Sequence, residues 1–183
     1  STRRANAVAF DIREAGRIKR EGGTLSGKVM KDKDGNPFKE PGLFKAVKGI
    51  GWYIEEYGVA QISYNLTDIN ISPLHEVFDK TCERSIARGM RVTGSELIGL
   101  VPKKVLIDAG IHFLKKQERS TGINESEIIK IAIKTLGLEE LAPFNPQERI
   151  IEYMLENDAN KPLVNMTLTA FANETASESP APG

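Results

Sequence analysis

The sequence predicts an α+β fold, a ferredoxin-like α/β plait built on the split β-α-β-β-α-β unit. Three observations predict it. A helix-periodic stretch opens the chain, two strand-like runs meet at a Tyr-Gly turn, and a capped apolar helix leads into a further apolar run. Read in order these are helix, strand, strand, helix, strand, which is the plait with its first strand missing. We therefore expect that strand upstream of Ser1 in a longer protein, with an exposed sheet edge left in this chain and helices closing its C-terminal part.

Each element has its own signal. Ala5, Val8, Ala9 and Ile12 recur at helical spacing between charges, and Gly16 ends that pattern. Residues 17–42 hold Gly22-Gly23, Asp34-Gly35-Asn36-Pro37 and Pro41-Gly42, so they read as loops or a loose hairpin. Val47, Ile50, Trp52, Tyr53 and Ile54 form one strand, and Val59, Ile62, Tyr64 and Leu66 the next, with Tyr57-Gly58 as the turn. Ser72 is placed as an N-cap and Pro73 as the first helical residue of a helix with Leu74, Val77, Phe78, Cys82 and Ile86 on its apolar face. Gly89 ends it. Residues 90–101 read as the next strand, with Leu97 to Val101 as its apolar core. Helices then run from Pro102 to about Gln117 and from Ser126 to Leu136, with Gly137 as a stop. Pro143 to Pro146 is a turn, residues 147–156 a short amphipathic helix, and residues 166–175 a possible further one. The end, ASESPAPG, has the composition of a linker.

Composition narrows the function. Of 183 residues 40% are hydrophobic and 27% charged, an ordinary globular balance. Lys plus Arg equals Asp plus Glu at 25 each, which argues against a general nucleic-acid surface. No apolar stretch is long enough for a spanning helix, and the N-terminus has no secretion-signal core, so a cytoplasmic protein with no membrane partner is expected. The single cysteine, Cys82, excludes an internal disulfide and a multi-cysteine zinc site. The charge is uneven: residues 13–48 carry ten basic and five acidic side chains, a surface suited to an anionic small molecule or simply to solvent.

Few residues carry chemistry by themselves. His75 lies in the first turn of its helix, where the macrodipole disfavours the imidazolium form, and His112 lies among Ile111, Phe113 and Leu114. Both read as structural, and no catalytic residue is assigned in this chain. No metal site is assigned: Asp32, Asp34 and Asn36 have the opening spacing of a calcium loop, but Gly35 comes one position early and no glutamate follows at the twelfth. Gly49-Ile-Gly51 lacks the third glycine and the helix of a phosphate loop, so close backbone approach is the better reading. Asp68 and Asn70 stand before a helix N-terminus, where they either help hold an anion or satisfy their own turn.

Several long runs together carry a resemblance. KAVKGIGWYIEEYGVAQISYNLTD, SPLHEVFDKTCERSIARG, GSELIGLVP and LGLEELAPFNPQERIIEY resemble the C-terminal half of the glutamate formimidoyltransferase domain, over residues 3–153. The basic stretch 17–42 is longer than that family usually carries. AFANETASESPAPG is similar to the start of a cyclodeaminase domain, as in the bifunctional members. The resemblance implies residues 1–157 as the formiminotransferase subdomain and 158–183 as a linker and the start of that second domain. It implies transfer of a formimino group from N-formimino-L-glutamate to N5 of tetrahydrofolate, the co-substrate, in histidine degradation. It also implies a folate tunnel between two subdomains, an upstream subdomain that supplies the catalytic histidine, and a homo-oligomer. Candidate folate- and substrate-binding residues are then Lys45, Lys48, Asn65, Asp68, Ser95 and Glu96. The lysines suit the carboxylates of both ligands. Glu96 suits a pterin amide and amino pair or the formimino group, or else faces solvent at a strand end. The alternative function is a small-molecule-binding or regulatory plait module without catalysis.

Overall fold

A computed structural model describes residues 1–23 and 26–159. Its elements, in order, are α1 (Thr2–Ile12), β1 (Arg17–Ile18), a 3-10 turn (Glu21–Gly23), β2 (Lys39–Glu40), β3 (Val47–Ile54), β4 (Val59–Leu66), α2 (Leu74–Ile86), α3 (Lys103–Lys116), α4 (Glu125–Leu136), α5 (Pro146–Arg149) and α6 (Ile151–Ala159). The fold is α+β, with two antiparallel two-stranded sheets, β1-β2 and β3-β4, and it is compatible with a split βαβ plait carrying C-terminal helices. By its internal contacts the chain divides into two units, Ser1–Leu97 with Lys104–Pro143, and Ile98–Lys103 with the chain from Phe144 onward.

In the first unit α1 forms where the periodicity places it, and Ala5, Val8, Ala9 and Ile12 are all buried. The β3-β4 hairpin follows in full register from Val47↔Leu66 to Ile54↔Val59. Its connection is four residues rather than a two-residue turn: Gly58 donates its N–H to Glu55 at 3.2 Å and takes the positive φ of 64° that closes the loop. Val8, Ile12, Val47 and Val77 form the core, with Phe44, Ile62, Tyr64, Leu66 and Met90 packed around it. Burying each of the larger aliphatic side chains contributes about 1.5–3 kcal/mol. Helices α3 and α4 pack so closely that a Cβ on Gly110 would stand 2.3 Å from the Ile128 carbonyl oxygen. Helix α4 ends at the expected Gly137, which is in the left-handed conformation, and the Asn124 side chain caps its start by accepting from Ser126 N–H.

Four local expectations are corrected. Pro73, not Ser72, is the N-cap of α2 and makes no side-chain cap bond. Ser72 is buried, and its hydroxyl donates to the Lys45 carbonyl at 2.5 Å, so a long-range acceptor has outcompeted the local one. The buried stripe of α2 is Val77, Thr81 and Ser85, while Ile86 is exposed. Residues 90–100 form no strand. Strand propensity selects extended backbone, but a strand needs a paired neighbour. In a split βαβ plait the last strand lies beside the first, and no described segment occupies that place. The backbone of 90–97 is instead tied to a helix end, Ser95 N–H donating to Gly137 O at 3.0 Å and its hydroxyl to Leu136 O at 2.6 Å.

The described residues of 17–42 fold as a small hairpin rather than as open loop. Arg17↔Glu40 and Ile18↔Lys39 pair in a ladder, and bridges Arg20↔Val29 and Lys31↔Pro37 extend it. Asp32 closes an Asx turn, accepting from Asp34 N–H at 2.9 Å and Asn36 N–H at 2.8 Å. The Asn36 hydrogen bond leads the contacts that hold its carboxyl below the usual value.

The second unit has its own local order. Val101 bridges Ile150 in parallel, with Val101 N–H donating to Arg149 O and Ile151 N–H to Val101 O. The helix expected over 147–156 is therefore broken: Ile150 is fully buried in an extended conformation between α5 and α6. Asn145 caps α5 through Gln147 N–H, and Glu152 accepts from Lys103 N–H at the start of α3. The possible helix at 166–175 lies outside the described residues.

Candidate functional site

The two faces of the β3-β4 hairpin differ around Gly49 and Gly51. On one, α1 lies almost in backbone contact with β3. A Cβ on Gly51 would stand 2.5 Å from the carbonyl carbon of Ala5, and Gly51 N–H donates to Asn6 Oδ1 at 3.0 Å. Arg13 clamps the same approach, donating to Gly49 O at 3.1 Å and to Gly16 O at 3.1 Å while its guanidinium stacks 4.0 Å over Phe10. Gly49 and Gly51 thus serve close approach, as the sequence suggested.

The alternate residues of the same strands point the other way. Across the pairs Lys48↔Asn65, Ile50↔Ser63, Trp52↔Gln61 and Ile54↔Val59, this face stays open. Ile50 is 54% exposed, Trp52 38% and Val59 46%. Large apolar side chains on an open sheet face mark a surface that receives something. Beside them lies a shallow recess of about 290 Å³ lined by Lys48, Gly49, Ile50, Ser63 and Asn65. A cation, an amide and a hydroxyl thus border the exposed side chain of Ile50.

Two of the six candidate residues meet here: Lys48 and Asn65 stand directly opposite each other. Lys45 is exposed just before β3, and its carbonyl holds Ser72. Asp68 accepts from Asn70 N–H at 2.9 Å, so one carboxylate oxygen serves its own turn. Ser95 is tied to the end of α4, and Glu96 beside it is exposed. Ile50, Trp52, Ser63 and Gln61 join the site although they were not singled out. The signal that finds them is the hairpin register, which with period-two alternation puts them on the face of Lys48.

The two histidines come together elsewhere. Their rings lie 4.5 Å apart between α2 and α3, and His112 Nε2 is 2.7 Å from Asp79 Oδ2, which also accepts from Lys116 at 2.8 Å. Burial, and then the neighbouring His112, lowers the pKa of His75. Burial works against the charge of Asp79, but the hydrogen bonds from Lys116 and His112 outweigh it and hold that carboxyl below the usual value. Both rings thus make contacts within the helix pair. Among the described residues no three His, Cys, Asp or Glu side chains gather as metal ligands do, and no helix is long and apolar enough to cross a membrane.

Comparison with known proteins adds the family. The formiminotransferase domain family matches residues 1–156. The chain is 43% identical over 180 residues to a formimidoyltransferase-cyclodeaminase of Gallus gallus, covering 98% of this chain and 30% of the relative. The corresponding protein of Sus scrofa is 38% identical over 185 residues, covering the whole of this chain and again 30% of the relative. A glutamate formimidoyltransferase of Streptococcus pyogenes serotype M1 is 34% identical over 77 residues, 42% of this chain and 26% of the relative. The chain therefore spans about a third of the length of these relatives, and by the family match it belongs to the formiminotransferase domain family.

Proposed function

We propose that this chain contributes one wall of the folate and substrate site in an enzyme that moves a formimino group from N-formimino-L-glutamate to N5 of tetrahydrofolate in histidine degradation. The observation that supports it most is the open hairpin face, where Lys48 and Asn65 border Ile50 and Trp52. A pterin lies flat on apolar side chains, and glutamate carboxylates are drawn to a lysine. Lys45 adds a second cation, while Asp68, Ser95 and Glu96 complete the proposed binding set, Glu96 taking the paired donors of the pterin.

The catalytic base belongs, on this reading, to an upstream subdomain, as the family resemblance implies. A strand from that upstream segment would fill the place beside β4 that residues 90–97 leave unpaired. Residues 158–183 would lead into a cyclodeaminase-like domain, and the assembled protein would be a cytoplasmic homo-oligomer.

In the full-length enzyme, Lys48→Ala should raise the KM for tetrahydrofolate about tenfold, the loss of one charge-assisted contact, and Asn65→Ala should act in the same direction. Folding, followed by circular dichroism, should be unchanged because both side chains are exposed. Kinetics equal to wild type in both variants would remove the hairpin face from the site. Folate binding by a full-length protein that has no transferase turnover would instead support a binding module.

A further inference from the structure

We propose that His75 and His112 form a pH-sensitive latch that closes the first turn of α2 onto α3 and opens when the pair takes up a second proton. Their rings, one from each helix, lie 4.5 Å apart and are tilted by 32°. The two are not equivalent. His112 Nε2 is 2.7 Å from Asp79 Oδ2, so a proton on that ring sits against a carboxylate. The His75 ring has no hydrogen-bond partner among the described residues, so a proton there stands beside the His112 ring without a carboxylate of its own. Two imidazolium rings at this spacing repel each other.

The carboxylates that face the pair are already engaged or open to solvent. On α2, Asp79 also accepts from Lys116 at 2.8 Å, and Glu76 is exposed. On α3, Asp108 pairs with Lys104, and these two line a recess beside His75 to which the preceding loop adds only the neutral Ile69, Asn70 and Pro73. Burial and then His112 therefore disfavour the proton on His75 more than Glu76, Asp108 and Asp79 favour it. The first turn of α2 is the part that yields. Pro73 caps it without a side-chain bond, and a helix N-terminus itself disfavours a cation. The turn hangs on Pro73 O, which accepts from Glu76 N–H at 3.1 Å and Val77 N–H at 3.2 Å, and Ser72 N–H donates to Asp68 O at 3.1 Å just before it. Opening the latch loosens residues 68–77 and leaves the β3-β4 ladder in place. The latch stands on the helix pair and does not rest on the folate reading.

The test is hydrogen–deuterium exchange of the full-length protein, read by mass spectrometry from pH 7.5 to 5.5 and corrected for the intrinsic pH dependence of exchange. In the wild type, peptides spanning 68–80 should lose protection severalfold as pH falls through the range where histidine titrates, while peptides of the β3-β4 ladder keep theirs. His112→Gln retains a donor for Asp79 but carries no charge, and it should keep 68–80 protected throughout. His75→Phe preserves the ring contact and removes the second proton, so it should do the same, and it carries the test should His112→Gln fail to fold. Unchanged protection in the wild type, a loss in either variant equal to that of the wild type, or a loss shared equally by the ladder would each overturn the proposal.

Discussion

Replacing Gly51 by alanine tests the packing that leaves the hairpin with one open face. The new Cβ would stand 2.5 Å from Ala5 C, 2.6 Å from Asn6 N and 2.7 Å from Ala5 Cβ, against 3.4–4 Å for ordinary contact. These are backbone atoms and a Cβ, so no side-chain rotation relieves the overlap, and α1 must move off β3 by about 1 Å. Overpacking of this kind costs about 1–3 kcal/mol. The hydrogen bond from Gly51 N–H to Asn6, 3.0 Å long, is strained or lost, adding roughly 1 kcal/mol. The stiffer unfolded chain returns about 0.4–1 kcal/mol. The net expectation is a destabilisation of about 2 kcal/mol, read as a lower urea midpoint at unchanged slope. Gly122→Ala is the matched control, since its Cβ would meet only Ser120 Oγ at 3.6 Å, and it should be neutral. A Gly51→Ala midpoint equal to that of the control would refute backbone-close packing of α1 on β3.

Two further predictions rest on polar groups, buried Ser72 and half-buried His75. Ser72→Ala strands the Lys45 carbonyl at the foot of β3 and should cost about 1–3 kcal/mol by chemical denaturation, whereas the exposed Ser126→Ala should change little. For His75 the sign follows from linkage. Its pKa is lowered in the folded protein, by burial and then by His112, with Glu76, Asp108 and Asp79 opposing, so below its ordinary value of 6.5 the unfolded chain binds the proton more readily. Its contribution to stability is full above that pH and is lost as pH falls through the folded value. Urea midpoints from pH 7.5 to 5 should therefore decline in the wild type and flatten in His75→Phe; parallel declines would locate the effect elsewhere.

The chain's own sequence determined those features whose causes lie within a few residues of their effects. The periodicity of Ala5, Val8, Ala9 and Ile12 specifies α1, Gly137 ends α4, and alternation about Gly58 specifies which residues of the hairpin share a face. Long runs such as KAVKGIGWYIEEYGVAQISYNLTD also carried the family likeness that the comparisons bear out. Only the tertiary structure decided features that depend on a distant partner. Ser72 reads as a cap until the Lys45 carbonyl takes its hydroxyl, and the helix over 147–156 reads as continuous until Val101 draws Ile150 into a bridge. Residues 90–100 have the composition of a strand but no neighbour to pair with among the described residues. Propensity is local to the backbone of each residue. Hydrogen-bond partners and neighbouring charges are supplied by whatever the fold brings close, and there the decision passed from sequence to structure.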